Sequence, residues 1–373
     1  MRITAQDQQE DGRAGLGTVG QQVVGQRDIH AHGGVDAGQQ QPEQQQEAGL
    51  LLLASVAIAQ LLNCERTIPM TPLRFAAVSR NYFNLPVWIG VDQGLFRQEG
   101  IDLSVELHEG VDEVTDRLAD GTVQLALGIT EHVVLDSESG GHSVIIGGNV
   151  NRLPFSLIAA KGVSSFEDMR GKVVGVSSLE AGSSSLVMRL FEAHGLRHPE
   201  DYTIKAVGPI LARWDKLQSG EIQAGLQGAP LNYIAADAGF STLVEPRLMF
   251  PDFQFTSLHV LAPWAAANRP LVVRFMRAFI RAHEWFYNNR AGAAAIAMRE
   301  TGVARPYADR AWDEYVAAEI FPRDGDASDA AVQALIEISG RIRALSHRTK
   351  TRAADYIDRS YLHEARASLR QAA

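Results

Sequence analysis

The chain has 373 residues, which is enough for about two domains with a sizeable core, and its formal net charge is −9. No dense block of lysine and arginine occurs, which argues against nucleic acid or an anionic membrane as the main partner. The single cysteine, Cys64, excludes an intrachain disulfide and a cysteine-based metal cage, and we expect neither metal nor cofactor. No apolar run reaches the length of about 18 residues that is typical of a membrane span.

The segment 1–69 differs in composition from the rest of the chain. It contains 13 glutamines and shows no periodicity before Ala48, so we expect disorder there. The apolar run from Ala48 to Leu62 has the length of a signal-peptide core, and the LLNC at its end is similar to a lipoprotein cleavage box. The alternatives are an extension that precedes a true start at Met70, or a genuine extra helix. We leave the segment out of the fold argument.

From Leu73 onward the pattern predicts alternating strands and helices. The first strand is LRFAAVS, and the next segment, LPVWIGVDQGLF, spaces its apolar residues as one helix face, with Pro86 in the first turn. Period-two alternation then predicts a strand in IDLSVELHE. A helix, the strand VQLALGI and a strand around Val144–Ile146 follow. This order is typical of a mostly parallel α/β sheet.

The alternation restarts after Lys172 and ends near Pro263. Strands are predicted in KVVGVSS, YTIKAVG, IQAGLQG and FTSLHVLAP, with helices between them, and only helices are predicted beyond Asn268. Two similar pieces, Asp116–Ile129 and Asp215–Gly228, indicate two lobes of the same topology. The alternative is that both are a common helix–strand turn with glycine at the helix end.

Several stretches of the chain from Leu85 onward resemble those of a known protein family. The stretch LPVWIGVDQGLFRQEGIDLSVELHEG is similar to the first-lobe opening of ABC-transporter solute-binding proteins of the nitrate/sulfonate/taurine/thiamine-precursor type. Further similarities follow in the family's order, at Leu118–Val123, SSFEDMRGKVVGVSS, Leu217–Ile222 and VVRFMRAFIRAHEWFYNN. The resemblance implies the α/β, two-lobed type 2 periplasmic-binding-protein fold. Each lobe would be a mixed sheet flanked by helices.

The resemblance also implies the domain limits. Lobe one would comprise 72–154 plus 264–345, lobe two 155–263, and a helical tail 346–373. The two crossings between the lobes would be Phe155–Gly162 and Phe255–Pro263.

For function, the resemblance implies a non-enzymatic binding protein that captures a small organic solute, anionic or aromatic, in the interlobe cleft. Its partners would be the membrane subunits of an ABC permease, and we expect a monomer. The location would be periplasmic or the cell envelope, or cytoplasmic if the true start is Met70. The alternative is a ligand sensor or an enzyme on the same fold, either a lyase of an aromatic acid or an enzyme of thiamine-precursor metabolism. The desulfinase and precursor-synthase types need cleft cysteines, whereas Cys64 precedes the fold.

The candidate ligand-binding residues lie in loops that follow strands, because ligands sit beyond the carboxyl ends of strands in open α/β sheets. The SRNYFN loop offers aromatic rings and hydrogen-bond donors to a ligand, or it is a solvated loop whose aromatic side chains pack under a helix. The three serines that begin a helix could bind an anion or form a plain N-cap. His132 could titrate near neutrality or be structural, and Arg213 could complete an anion site or lie on the surface. The candidates are Arg80, Asn81, Tyr82, Phe83, Asn84, Glu109, Gly110, Thr130, Glu131, His132, Ser183, Ser184, Ser185, Arg213, Gln227 and Gly228.

Overall fold

A computed structural model describes residues 70–179, 183–341 and 347–372. The predictions made for the segment 1–69, including Cys64, fall outside these described residues. The strands are β1 (Thr71–Val78), β2 (Ile101–His108), β3 (Leu125–Ile129), β4 (Ser143–Val150), β5 (Phe155–Ala159), β6 (Val173–Val176), β7 (Thr203–Ala206), β8 (Ala224–Gly228), β9 (Ser241–Val244) and β10 (Thr256–Leu261).

Helices flank these strands and dominate the C-terminal third. They are α1 (Leu85–Asp92), α2 (Leu95–Gln98), α3 (Val111–Ala119), α4 (Thr130–Glu138), α5 (Ser184–Ala193), α6 (Ile210–Gln218), α7 (Leu231–Asp237), α8 (Ala262–Ala267), α9 (Arg269–Asn288), α10 (Arg290–Thr301), α11 (Arg305–Ala317), α12 (Asp329–Ser339) and α13 (Ser360–Ala372). Across the described ranges, no helix is both long enough and apolar enough to cross a membrane.

Two five-stranded mixed sheets organise the described residues. The first has the order β2-β1-β3-β10-β4, in which β1 runs parallel to β2 and β3 while β10 is antiparallel to both neighbours. The second has the order β7-β6-β8-β5-β9, in which β5 is the antiparallel member. We call the first sheet with its helices lobe one and the second lobe two. The predicted fold class, two mixed sheets flanked by helices, is confirmed.

The pairing of the strands gives lobe boundaries that differ from the predicted ones. The segment 155–263 was assigned to lobe two, but β10 pairs with β3 and β4 and therefore belongs to lobe one. The predicted crossing at Phe155–Gly162 is largely β5, a strand of the second sheet. Both segments are short buried strands, and a buried apolar strand carries no signal for which sheet it joins. The predicted C-terminal tail, for its part, ends in α13, which packs on α9 and β4 of lobe one.

The stretch that carries the resemblance forms the first helical layer of lobe one. Helix α1 ends before Gly94, whose φ of +65° suits the residue between two short helices. Phe96 then stacks on Phe275 of α9 at a centroid distance of 5.0 Å and lies against Gly90, where a Cβ would approach the Phe96 ring to 2.4 Å. This packing fixes the position of the loop that precedes α1.

Aromatic rings meet where the chain passes between the lobes, at residues 151–154 and 245–255, which we call the hinge. Phe155 and Phe255 meet edge to face with centroids 4.7 Å apart, and Phe83 meets Phe255 in the same way at 6.2 Å. Asn149 adds a polar link, since its side-chain Nδ2 donates to the carbonyl of Phe83 at 2.9 Å and to Thr256 Oγ1 at 3.0 Å. The loop after β1 is therefore attached directly to the hinge.

Candidate functional site

The two lobes touch where α4 and α5 begin. The Ser185 hydroxyl of lobe two donates to Glu131 Oε1 of lobe one at 2.5 Å, and both residues are buried. Beside Glu131, the Thr130 hydroxyl lies 2.8 Å from Ser257 Oγ of β10. The structure therefore brings predicted residues of both lobes together at facing helix N-termini.

Serines surround the first turn of α5. Ser183 Oγ accepts the backbone N–H of Ser177 at 3.0 Å, and the Ser184 hydroxyl donates to the carbonyl of Leu179 at 3.2 Å. Ser183 and Ser184 are buried. A helix N-terminus carries unpaired N–H groups and a partial positive charge, which favour an anion.

Arg213 lies beneath this helix N-terminus and is only 2% exposed. Its Nε donates to the carbonyl of Leu226 at 2.8 Å, and its Nη1 is 3.5 Å from Ser183 Oγ. Within the described ranges no carboxylate lies at ion-pair distance from the guanidinium. Burial lowers the pKa of Arg213 to about 10, so the group stays charged at neutral pH. Gly225 makes room for it, since a Cβ there would lie 2.8 Å from Arg213 Cδ.

Gln227 continues the same face of the second sheet, two residues after Gly225. It is fully buried, and neither its amide nitrogen nor its amide oxygen has a hydrogen-bond partner among the described residues. Its cross-strand partner is Ser156 of β5, so their side chains share one face of the sheet. The next residue, Gly228, pairs with Phe155 and packs under Ile210. A buried amide with both ends unpaired is costly, which makes Gln227 a candidate ligand contact.

The sequence predicts that the SRNYFN loop forms a wall facing the solute, but in the structure its asparagine and aromatic side chains pack against the protein. Asn81 and Asn84 donate to the carbonyls of Val78 and Ser79, at 3.0 and 2.7 Å, and thereby close the loop on its own strand. The Tyr82 ring packs on Tyr315, which follows in α11, at 4.7 Å. Burial raises the pKa of Tyr82 well above its usual value, and its hydroxyl has no hydrogen-bond partner in the part of the chain that is described. Phe83, as described above, packs at the hinge.

Four predicted residues do not join this region. Arg80 pairs with Glu300 at 2.9 Å and lines a cavity of lobe one, while Glu109 and Gly110 are exposed after β2. His132 points between α3 and α4, where its Nδ1 bonds the Thr115 hydroxyl and its Nε2 lies 3.3 Å from Asp112. The hydrogen bond between His132 and Asp112 lowers the pKa of Asp112. Both residues belong to lobe one.

Sequence reasoning missed a cavity of about 590 Å³ between lobe two and α11. None of the predicted residues lines it. The residues around it are Ser156, Asn232, Tyr233, Ala236, Thr242, Glu245, Arg247, Arg310, Asp313, Glu314, Ala317 and Ala318. Asn232 and Tyr233 lie in the first turn of α7, which a two-residue link separates from β8, so the rule that selects residues after strands could have found them. Arg310 and Glu314 lie within a helix and carry no such signal.

Comparisons with known proteins agree with this architecture. A match to the family described as NMT1/THI5 like covers residues 83–293, which is more than half of the chain. Among curated proteins, the 4-amino-5-hydroxymethyl-2-methylpyrimidine phosphate synthase of Schizosaccharomyces pombe is 29% identical over 147 residues, covering 39% of this chain and 41% of that protein. The chain thus spans about two fifths of the length of the curated relatives it matches.

Solved structures match over more of the length. The periplasmic nitrate-binding protein NrtA from Synechocystis superimposes with a TM-score of 0.69 at 14% identity, covering 80% of this chain and 89% of that one. The alkanesulfonate-binding protein SsuA from Xanthomonas axonopodis gives a TM-score of 0.63 at 15% identity, with 78% and 99% covered. At such identities the likeness shows the fold. The predicted resemblance to solute-binding proteins of the nitrate and sulfonate type is confirmed at that level.

Proposed function

The chain belongs to the NMT1/THI5-like family, and we propose that it binds a small anionic organic solute between its two lobes. The observation that carries this proposal is Arg213, a buried guanidinium that faces a helix N-terminus and has no carboxylate partner among the described residues. A buried charge is expensive unless it is paired. A solute anion at this place would supply the missing partner.

The neighbouring groups suit the same ligand. The first turn of α5 offers N–H groups beside Ser183, and Gln227 offers an amide nitrogen that has no partner among the described residues. Donors of this kind bind carboxylate, sulfonate or phosphate oxygens, with charge-assisted hydrogen bonds being the strongest. Across the cleft, Glu131 of α4 already accepts a hydrogen bond from Ser185 of lobe two. Helix α4 therefore helps to hold the lobes closed, and the anion is bound by groups of lobe two.

The same proposal covers the partner and the place of action. Binding favours the state in which the lobes are in contact, and a membrane permease of the ABC type recognises that state. The protein then works in the periplasm or cell envelope. Fractionation of cells that express the gene from its natural start tests this part, and a purely cytoplasmic protein would contradict it.

The binding step is tested by calorimetry with a panel of nitrate, sulfate, alkanesulfonates and carboxylic acids. We expect one class of anion to bind, and Arg213→Gln to weaken that binding at least tenfold while circular dichroism still reports a folded chain. Arg189→Gln is the matched control, because Arg189 belongs to α5 of the same lobe, is partly exposed and lies only 3.5 Å from its own partner Glu192. Unchanged affinity in Arg213→Gln, or no binding of any anion by the wild type, would contradict the proposal.

A second candidate function rests on the curated relatives, which are pyrimidine phosphate synthases. Under it, the cleft would form or process the same pyrimidine phosphate without the cleft cysteines that the resemblance implies for such synthases. Expression of the gene in a strain that requires this pyrimidine for growth tests the idea. Growth without the supplement would favour the synthase, and the Arg213→Gln variant would then show whether the same buried charge is required.

A further inference from the structure

The cavity beside α11 is lined by residues of both lobes. Its lobe-two wall comes from β5, α7 and β9, and its lobe-one wall is α11. Its volume of about 590 Å³ lies in the range of roughly 300–1,000 Å³ that is typical of small-molecule sites. A water occupies about 30 Å³ of liquid, so this space far exceeds what a bare inorganic oxyanion would fill.

One cross-strand pair, Ser156 with Gln227, connects the cavity wall to the anion-binding groups of the proposed function. Arg213 packs over Gly225, Gln227 follows on the same face, and Ser156 is the cross-strand partner of Gln227. Ser156 lines the cavity, where the side-chain Nδ2 of Asn232 lies 3.3 Å from its Oγ. Side chains of directly paired residues lie about 5 Å apart. The unpaired amide of Gln227 is therefore one strand away from the cavity wall.

The charges around the cavity favour a solute with hydrogen-bond acceptors. Each carboxylate of the wall already has an arginine: Glu245 and Glu314 bond Arg247, and Asp313 bonds Arg290 at 2.7 Å. A cationic solute would find no unpaired carboxylate in this wall.

Arg310 differs from these paired arginines. It stacks over the ring of Tyr233 at 3.9 Å and makes no ion pair within the described ranges. Tyr233 itself stays neutral at ordinary pH, because burial raises the pKa of its hydroxyl, and that hydroxyl already donates to Glu314. The wall thus presents one unpaired cation on an aromatic face.

Resting on the proposed function, we propose that this cavity holds the organic body of the solute, whose anionic end lies toward Arg213. The solute is then an organic anion that packs on Tyr233 and meets Arg310 with an acceptor group. Nitrate and sulfate would fill only the Arg213 end and leave the cavity to water.

Cavity-filling variants test this assignment. Ala236 on the lobe-two wall and Ala317 on the α11 wall are exposed, so Ala236→Trp and Ala317→Phe add side chains without disturbing a core. We expect either variant to weaken binding of the best organic anion at least tenfold. Binding of small inorganic oxyanions, where measurable, should change less than twofold. Ala238→Trp is the control, because Ala238 is exposed just after α7 and does not line the cavity.

The outcomes separate this inference from the proposed function. If both filled variants bind the organic anion as well as Ala238→Trp does, the cavity assignment is wrong and the proposed function stands. If the wild type binds inorganic oxyanions but no organic anion, the cavity assignment is wrong, and of the proposed function only the anion site at Arg213 remains. If the filled variants lose affinity for small inorganic and larger organic anions equally, the cavity assignment is also wrong. If the wild type binds no anion, the proposed function itself has failed. As a second readout, Arg310→Gln should weaken an organic anion with a distal acceptor and leave its analogue without that acceptor unchanged.

Discussion

Glu314 of α11 is expected to hold the two lobes together. Its carboxylate accepts from the Tyr233 hydroxyl and from the Arg247 guanidinium, both of which belong to lobe two. The carboxylate side chain is 12% exposed and that of Arg247 is 25% exposed, so the contact is largely screened from water. The perturbation we consider is Glu314→Gln, which keeps the shape and removes the charge.

The expected magnitude follows from these two bonds. Hydrogen bonds to a charged group are worth about 1.5–3 kcal/mol, against about 0.5–1.5 for neutral ones. Removal of the charge would weaken the two hydrogen bonds by roughly 2 kcal/mol in total. Because Arg247 is partly exposed, the expected loss of stabilisation is about 1–2 kcal/mol. At 1.4 kcal/mol per factor of ten, the equilibrium between open and closed lobes should shift toward the open form by roughly five- to thirtyfold.

Small-angle scattering in the absence of solute measures this equilibrium directly, and calorimetry measures its effect on the affinity for solute. We expect Glu314→Gln to increase the radius of gyration and to raise the Kd of the best solute by up to the same factor. Asp309→Asn is the control, because Asp309 lies in the same helix, pairs with Arg305 of that helix and does not line the cavity. If Glu314→Gln and Asp309→Asn give the same scattering curve and the same Kd, the reasoning about closure is refuted.

Three further changes test other parts of the structure. Gly225→Ala should push the side chain of Arg213 aside, because the added Cβ would lie 2.8 Å from its Cδ, and anion affinity measured by calorimetry should fall about tenfold; unchanged affinity would count against Arg213 as the anion contact. Burial lowers the pKa of His283 to about 4, so as pH falls from 6.5 toward 4 only the unfolded chain takes up this proton. The free energy of unfolding should then drop by about 1.4 kcal/mol per pH unit, and urea titrations of His283→Gln should show a slope smaller by that amount; an equal slope would refute it. Phe255→Leu removes two edge-to-face contacts worth about 0.5–1.5 kcal/mol each, so its unfolding midpoint should fall below that of Phe250→Leu, a partly buried control.

The order of strands and helices could be predicted from sequence because it depends on local periodicity. The alternation in Ile101–His108 and the apolar spacing in α1 each report a nearby buried face. The sheet that receives a strand depends on contacts far away in the chain. Thr256–Leu261 pairs with strands more than 100 residues earlier, and nothing within it distinguishes lobe one from lobe two.

The candidate site was partly predictable for the same reason. Ser183, Ser185 and Glu131 follow strands, and the fold brings the ends of those strands together across the cleft. Tyr82 also follows a strand, yet its ring is covered by Tyr315 of α11. The position of that helix depends on the path of the whole C-terminal region, which a loop of six residues does not encode.

Helix α11 shows how a local pattern can indicate the wrong partner. Arg310 and Glu314 are four residues apart, a spacing that is typical of an ion pair on a solvated helix face. In the folded chain they separate, because Tyr233 lies between them and offers a ring to the guanidinium and a hydroxyl to the carboxylate. A pair that would contribute about 0.3–0.5 kcal/mol on an isolated helix thereby becomes two contacts to the other lobe. The helix thus gains a position at the wall of the cleft, from which it can influence both closure of the lobes and the choice of solute.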